Sequence, residues 1–269
     1  MSLSPLGTAL ITGASSGIGA IYADRLAVRG HDLILVARNR GKLAALASQI
    51  ADRTGRSVEV VAADLGDKAD LRSVERLLAT DASLTMLVNN AGVGATAPLL
   101  SADVDAMERM IDLDVTALMR LTYAAAPALV TRGRGTVVNI ASIVAIGPEV
   151  LNGVYGGAKA FVLAFTQSLH HELAGKGLRL QAVLPGATAT DFWGIAGTAV
   201  EHLPGEIVMP ASAMVDAALA GLDAGELVTI PALPDLAQWQ AYEAARQAML
   251  PNLSRSEPAA RYRAAAVAA

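Results

Sequence analysis

The stretch TALITGASSGIG, residues 8–19, decides how this chain folds. It opens with a short run of apolar and β-branched side chains, the composition of a buried strand. The run breaks at Gly13, and apolar residues then recur at helical spacing over Ile18–Arg29. A strand that passes through a glycine turn straight into a helix is the first half of a β-α-β unit, and its helix amides face whatever anion occupies the turn. Glycine serves three needs there: a tight turn, close approach of backbone to phosphate, and helix-on-strand packing. Gly13, Ser15, Ser16, Gly17, Ile18 and Gly19 are therefore expected to cradle a pyrophosphate, at the spacing G-x-x-x-G-x-G. Gly13, Ser15 and Gly17 also satisfy G-x-S-x-G, the nucleophile elbow of serine hydrolases. Such an elbow usually follows several strands and an upstream oxyanion loop, whereas only twelve residues precede Gly13.

Outward from this turn the pattern repeats. Apolar, β-branched runs at Ala9–Thr12, Leu33–Ala37, Val58–Ala62, Met86–Asn89, Thr136–Ile140, Leu178–Leu184 and Leu227–Ile230 show little alternation, as expected of a parallel sheet covered on both faces. Helical spacing fills the gaps over Lys42–Arg53, Ala69–Ala82, Val104–Arg132, Gly153–Gly175 and Ala211–Ala224. Right-handed crossovers turn that string into an α/β fold: a Rossmann-like, doubly wound parallel sheet of about seven strands with helices on both faces. A single domain over residues 1–269 is expected, with an irregular substrate lid at about 187–209 and a fraying tail at about 255–269. Ligand contacts should follow the carboxyl ends of the strands.

Composition narrows the function. A net charge of −4 with no basic stripe argues against nucleic acid. The absence of cysteine removes disulfides, thiolate metal sites and a cysteine nucleophile, so the reducing cytoplasm is the expected compartment. No basic leader opens the chain, and apolar runs such as Ala124–Val130, interrupted by Pro127, fall short of the ~20 residues that span a bilayer, so no membrane partner is expected. The mean hydropathy of +0.43 instead reflects a buried sheet and Ala-rich helices. His31, His170, His171 and His202 have no ligand spacing, and no metal is expected.

At the end of the second strand, where a chain preferring NAD places a carboxylate for the ribose 2′-hydroxyl, this chain has Ala37-Arg38. A guanidinium suits a 2′-phosphate, so NADP(H) is favoured over NAD(H). Downstream, Tyr155 and Lys159 stand at i and i+4 on one helix face. Free tyrosine titrates near 10, so proton transfer near neutrality asks for a shift of roughly 3 units, which an adjacent ammonium partly supplies. Ser142 directly follows the fifth strand, where its hydroxyl can steady a carbonyl oxygen as charge develops.

Together these residues resemble the short-chain dehydrogenase/reductase family in its classical form, over nearly the whole chain to about residue 232. The resemblance rests on TGASSGIG at 12–19, Asp64 after the third strand, Asn89-Asn90-Ala91-Gly92 after the fourth, Ser142, YGGAK at 155–159, and Pro185-Gly186 with Thr190 after the sixth. It implies hydride transfer between NADP(H) and the carbonyl or hydroxyl carbon of a small organic substrate. Tyr155 would then be the acid/base, Lys159 would orient the nicotinamide ribose and lower the phenol pKa, and Ser142 would position the substrate oxygen. Cofactor contacts are implied at Asp64 and Leu65, at Asn90, Ala91 and Gly92, at Tyr155 and Lys159, and at Pro185, Gly186, Thr188 and Thr190. As bare residues, Asp64 is equally a helix cap and Pro185-Gly186 a turn.

One position departs from the family. Its fourth catalytic residue is an asparagine that supports a water relay to the lysine, and here Leu113-Asp114-Val115 puts aspartate there. The backbone carbonyl is retained, and a working enzyme with altered pH dependence is expected. Phe192 and Trp193 are candidate substrate contacts or, equally, packed anchors. The strand at Leu227–Ile230 and a terminal helix at Leu236–Met249 lie where the family often pairs across two-fold axes, so a homodimer or homotetramer is expected. A catalytically idle NADP-binding regulator or scaffold is the alternative function.

Overall fold

The computed structural model describes Ser4 and residues 6–262. A compact unit, Met1–Pro231, carries the sheet, and a C-terminal unit comprises Ala232–Ala269. In the first unit the order is β1 (Thr8–Thr12), α1 (Gly17–Val28), β2 (Asp32–Ala37), α2 (Arg40–Thr54), β3 (Val58–Ala62), α3 (Lys68–Thr80) and β4 (Leu84–Asn89). Then come α4 (Val104–Ile111), a π-helical turn (Asp112–Ala117), α5 (Leu118–Thr131), β5 (Gly135–Ile140), α6 (Gly153–Glu172) and β6 (Leu178–Val183). The segment after β6 holds β7 (Thr188–Ala189), α7 (Phe192–Ala196) and β8 (Met209–Pro210), and α8 (Ala211–Asp223) leads to β9 (Val228–Thr229).

Seven strands form one sheet in the order β3-β2-β1-β4-β5-β6-β9, every pair parallel. The order reverses at β1 and β4, which opens the crevice in which such sheets bind ligands. Helices cover both faces. On one side α1, α2 and α8 bury Tyr22, Leu26, Leu43 and Val215 against Ile11 and Leu35. On the other, α3, α5 and α6 bury Val74, Leu121 and Leu169 against Leu10, Leu87 and Val137. The near-continuous apolar strands of the sequence are thus buried on both sides, as their lack of alternation predicts.

The helix expected over Val104–Arg132 is continuous over Val104–Thr131, and by length and composition it could cross a membrane. Its apolar residues Leu118, Leu121, Ala125 and Leu129 instead pack in the core beneath the sheet. The π-helical turn at 112–117 was not foreseen. The region expected as an irregular lid is partly regular: β7 and β8 pair in parallel, Thr188 with Met209 and Ala189 with Pro210. The tail expected to fray lies partly outside the described residues, and residues 255–262 are exposed. In the C-terminal unit, α9 (Leu236–Met249) is capped by Asp235 and buries none of its residues.

Candidate active site

The glycine turn follows β1 as expected. Gly13 (φ 66°) and Gly17 (φ 54°) adopt left-handed backbone that favours glycine. A Cβ on Gly13 would lie 2.8 Å from Ala91 Cα, and one on Gly17 would lie 3.2 Å from Thr190 Cγ2. The turn therefore sits between the ends of β1 and β4 and the start of the lid. Thr12 and Asn90 lock it: Thr12 Oγ1 accepts from the Asn90 and Ala91 amides at 3.0 Å each, and Asn90 Nδ2 donates to Thr12 O at 2.9 Å and Gly13 O at 3.3 Å. Asn90 is a brace for the cradle.

The cradle suits a pyrophosphate. α2, α3, α4 and α6 are each capped by a side chain at the N-terminus, from Asn39, Asp67, Asp103 and Asn152. Ser16, the cap residue of α1, makes no such bond, and no acidic side chain stands in the first turn. The α1 amides thus face the turn uncapped, the arrangement that binds anions. Arg38 is exposed at the end of β2 and has no ion pair among the described residues, so its guanidinium is available to a phosphate. Asp64 turns back to accept from the Gly66 amide at 3.0 Å, while Leu65 is buried. The helix cap that the sequence left open at Asp64 is supplied by Asp67.

The catalytic candidates converge on the head of α6. Asn152 caps that helix, accepting from the Val154 amide at 2.9 Å and the Tyr155 amide at 3.4 Å, and donates to Ala97 O at 2.6 Å. Tyr155 and Lys159 lie on the buried face, with the ammonium 5.6 Å from the centre of the phenol ring. Ser142 Oγ donates to Pro185 O at 3.4 Å and accepts from the Val144 amide at 3.4 Å. Pro185 O accepts from the Ile143 amide at 3.0 Å, and Thr188 Oγ1 donates to Gly186 O at 3.1 Å, so the start of the segment after β6 is tied to the loop after β5.

Asp114 sits in the π-helical turn and is only 1% exposed. Its Oδ2 pairs with Lys159 Nζ at 3.0 Å, and its Oδ1 accepts from the Val93 amide at 2.9 Å. Such wider turns are rare and gather at functional sites. A Cβ on Gly92 would lie 3.1 Å from both carboxylate oxygens, so glycine at 92 makes room for the pair. Lys159 also donates to Ile140 O at 3.2 Å.

These neighbours set the charges. Burial pushes the Asp114 carboxyl up, against the pull of Lys159 and the Val93 amide. Burial pulls Lys159 down, but Asp114 and Tyr155 more than offset it and hold the ammonium above the ordinary lysine range. Burial pushes Tyr155 up; Lys159 lowers it as expected, Asp114 raises it further, and the Ser142 hydrogen bond lowers it. The expectation of a phenol made acidic by its ammonium neighbour is therefore corrected for the chain by itself, because desolvation outweighs the cation.

A buried polar chain that sequence reading missed fixes the helices bearing these groups. Asn89 Nδ2 donates to Thr122 Oγ1 at 3.0 Å and Asn139 Oδ1 at 2.9 Å, and Asn139 Nδ2 donates to Thr166 Oγ1 at 2.9 Å. It links α5 through β4 and β5 to α6. Of the two aromatic candidates, Trp193 is buried and donates its indole N–H to Thr188 O at 3.0 Å, whereas Phe192 lies 5.9 Å from the Tyr155 ring. A separate cavity of about 450 Å³, lined by Thr8, Asp32, Arg56 and Ser83, opens at the opposite, amino-terminal end of the strands, away from these groups.

The profile of the short chain dehydrogenase family matches residues 7–199, and the chain belongs to that family of oxidoreductases. A short-chain dehydrogenase from Sphingobium yanoikuyae, solved in complex with NADPH, is 48% identical, with 96% of this chain and 100% of that one covered and a TM-score of 0.93. The bulky-bulky ketone specific alcohol dehydrogenase of Comamonas testosteroni is 42% identical, with 95% and 98% covered and a TM-score of 0.88. The very-long-chain 3-oxoacyl-CoA reductase of Anas platyrhynchos is 33% identical over 186 residues, which span 68% of this chain and 60% of that protein.

Proposed function

We propose that this chain uses NADP(H) to reduce the carbonyl group of a small organic substrate, the reverse alcohol oxidation being open to the same residues. The observation that carries the reading is the buried Tyr155–Lys159 pair at the head of α6, beside Ser142 and across the crevice from the uncapped glycine turn. The NADPH bound by the Sphingobium relative supports the choice of coenzyme. Residues 13–19 would hold its pyrophosphate and Arg38 its 2′-phosphate. Asp64 and Leu65 would flank the adenine, and Asn90–Gly92 with Pro185, Gly186, Thr188 and Thr190 would wall the rest. When bound, the coenzyme supplies the hydride.

The chain's own residues handle the proton. Tyr155, kept protonated by burial, gives its proton to the carbonyl oxygen as negative charge develops there. Ser142 donates a hydrogen bond to that oxygen. Lys159 offsets the phenolate left behind, and Asp114 holds Lys159 charged and in place. Because Asp114 opposes the phenolate, the protonated form that serves reduction persists over a wide pH range. A homodimer or homotetramer is part of the same reading.

NADPH fluorescence titration followed by a carbonyl screen tests the reading. Binding with turnover is expected. Binding without turnover on any carbonyl would favour an idle regulator, and no binding would remove the coenzyme assignment.

A further inference from the structure

An apolar wall packs beside Tyr155: Ala95, Met110 and Val144 are buried with it, and Met107, Leu151 and Phe192 lean on the cluster. Phe192 closes the wall. Its ring is tilted 45° to the Tyr155 ring, and it reaches this place only because residue 94 is glycine. A methyl group on Gly94 would overlap Phe192 Cζ, at the tip of the ring.

The segment carrying Phe192 is fastened down. Ala196 O, at the end of α7, accepts from Thr96 N at 3.0 Å and Thr96 Oγ1 at 2.9 Å. Thr198 Oγ1 donates to Thr96 Oγ1 at 3.1 Å, and Gly197 (φ 99°) turns the chain beside them. Trp193 anchors the other face of the helix through Thr188 O. Phe192 therefore belongs to a preformed wall held from both sides.

We propose that Phe192, seated on Gly94 and held by the Thr96 clamp, is the residue that sets substrate size, and that the substrate class is apolar ketones whose lesser substituent packs on this ring. This assignment rests on the carbonyl-reductase reading above. A hydrophobic wall discriminates by fit, roughly 10- to 200-fold for each methylene gained or lost, so changing the ring moves selectivity between ketones more than it moves chemistry. The change leaves Lys159 and the glycine turn untouched and takes one neighbour from the Tyr155 ring.

The test compares the native chain with Phe192→Ala and Phe192→Leu on a series of aryl ketones whose second substituent grows from methyl to propyl to phenyl. Each is read as kcat and KM separately, with NADPH affinity followed by fluorescence. The expected result is a rise of about tenfold or more in the bulky-to-small ratio of kcat/KM for Phe192→Ala, carried mainly by KM, with NADPH affinity preserved. Phe192→Leu should fall between, and Gly94→Ala, which displaces the ring without removing it, should also move the ratio. A native chain that reduces the series while every variant keeps its ratio, whether at full or uniformly lowered activity, refutes the assignment alone. A native chain that binds NADPH yet reduces none of the ketones refutes the carbonyl-reductase reading and this assignment with it.

Discussion

Replacing Asp114 with asparagine removes one charge from the most buried ion pair of the site while keeping an acceptor for the Val93 amide. The carboxylate lies 3.0 Å from Lys159 Nζ, which is itself 5.6 Å from the centre of the Tyr155 ring. The carboxylate is thus at most about 9 Å from the ring centre and at most about 11 Å from the phenolate oxygen, where two unit charges interact by roughly 1.5 kcal/mol at an effective dielectric of about 20. That corresponds to a little over one pKa unit. The sign follows from the direction of the effect: Asp114 raises the Tyr155 pKa, so Asp114→Asn lowers it. Alcohol oxidation needs the phenolate, and its acidic limb should move down by about one pH unit. Carbonyl reduction needs the phenol, and its alkaline limb should move down by a similar amount. The assay is kcat/KM against pH in both directions, with thermal unfolding as a check on folding. Superimposable profiles from a well-folded variant would refute the charge argument and leave Asp114 as a spacer.

Tyr155→Phe should lower kcat roughly a hundred- to ten-thousand-fold, the usual worth of a positioned acid, with NADPH affinity by fluorescence little changed. Arg38→Ala should weaken NADPH binding roughly ten- to a hundredfold and leave NADH binding nearly as it was, since only the former has a phosphate for the guanidinium. Asn139→Ala takes one of two acceptors from Asn89 Nδ2 and the amide donor from Thr166 Oγ1, while Asn89 keeps Thr122 and Thr166 keeps Val162 O, so it should cost about 1–3 kcal/mol in all, measured by denaturant unfolding. The Tyr22 hydroxyl is fully buried and has no partner among the described residues, so Tyr22→Phe should hold stability or raise it by about 1 kcal/mol; a clear fall in Tm would reveal a partner for it.

The parallel sheet and its seven strands were legible because their cause is local. A strand buried on both faces must be apolar throughout, and each helix must show one apolar stripe, so both leave a periodic trace in the sequence. The glycine turn and the Tyr155–Lys159 spacing were legible for the same reason, since backbone at positive φ and side chains one helical turn apart are properties of neighbours in the chain. The cap at Asn152 leaves such a trace too, an asparagine directly before a helix.

What only the tertiary structure decided are the relations between residues far apart in the chain. Residue 114 could be seen to be aspartate, but whether its charge met Lys159 depended on a π-helical turn in one helix and the packing of another. The protonation of Tyr155 turned on how deeply the fold desolvates it, which no spacing encodes. Phe192 and Trp193 are adjacent in sequence, yet one packs on the Tyr155 ring and the other anchors the segment after β6 through Thr188 O. Local pattern is written in bonds between neighbours, whereas the energies of charge burial and close packing depend on which distant atoms are brought together, and those are set only when the chain has folded.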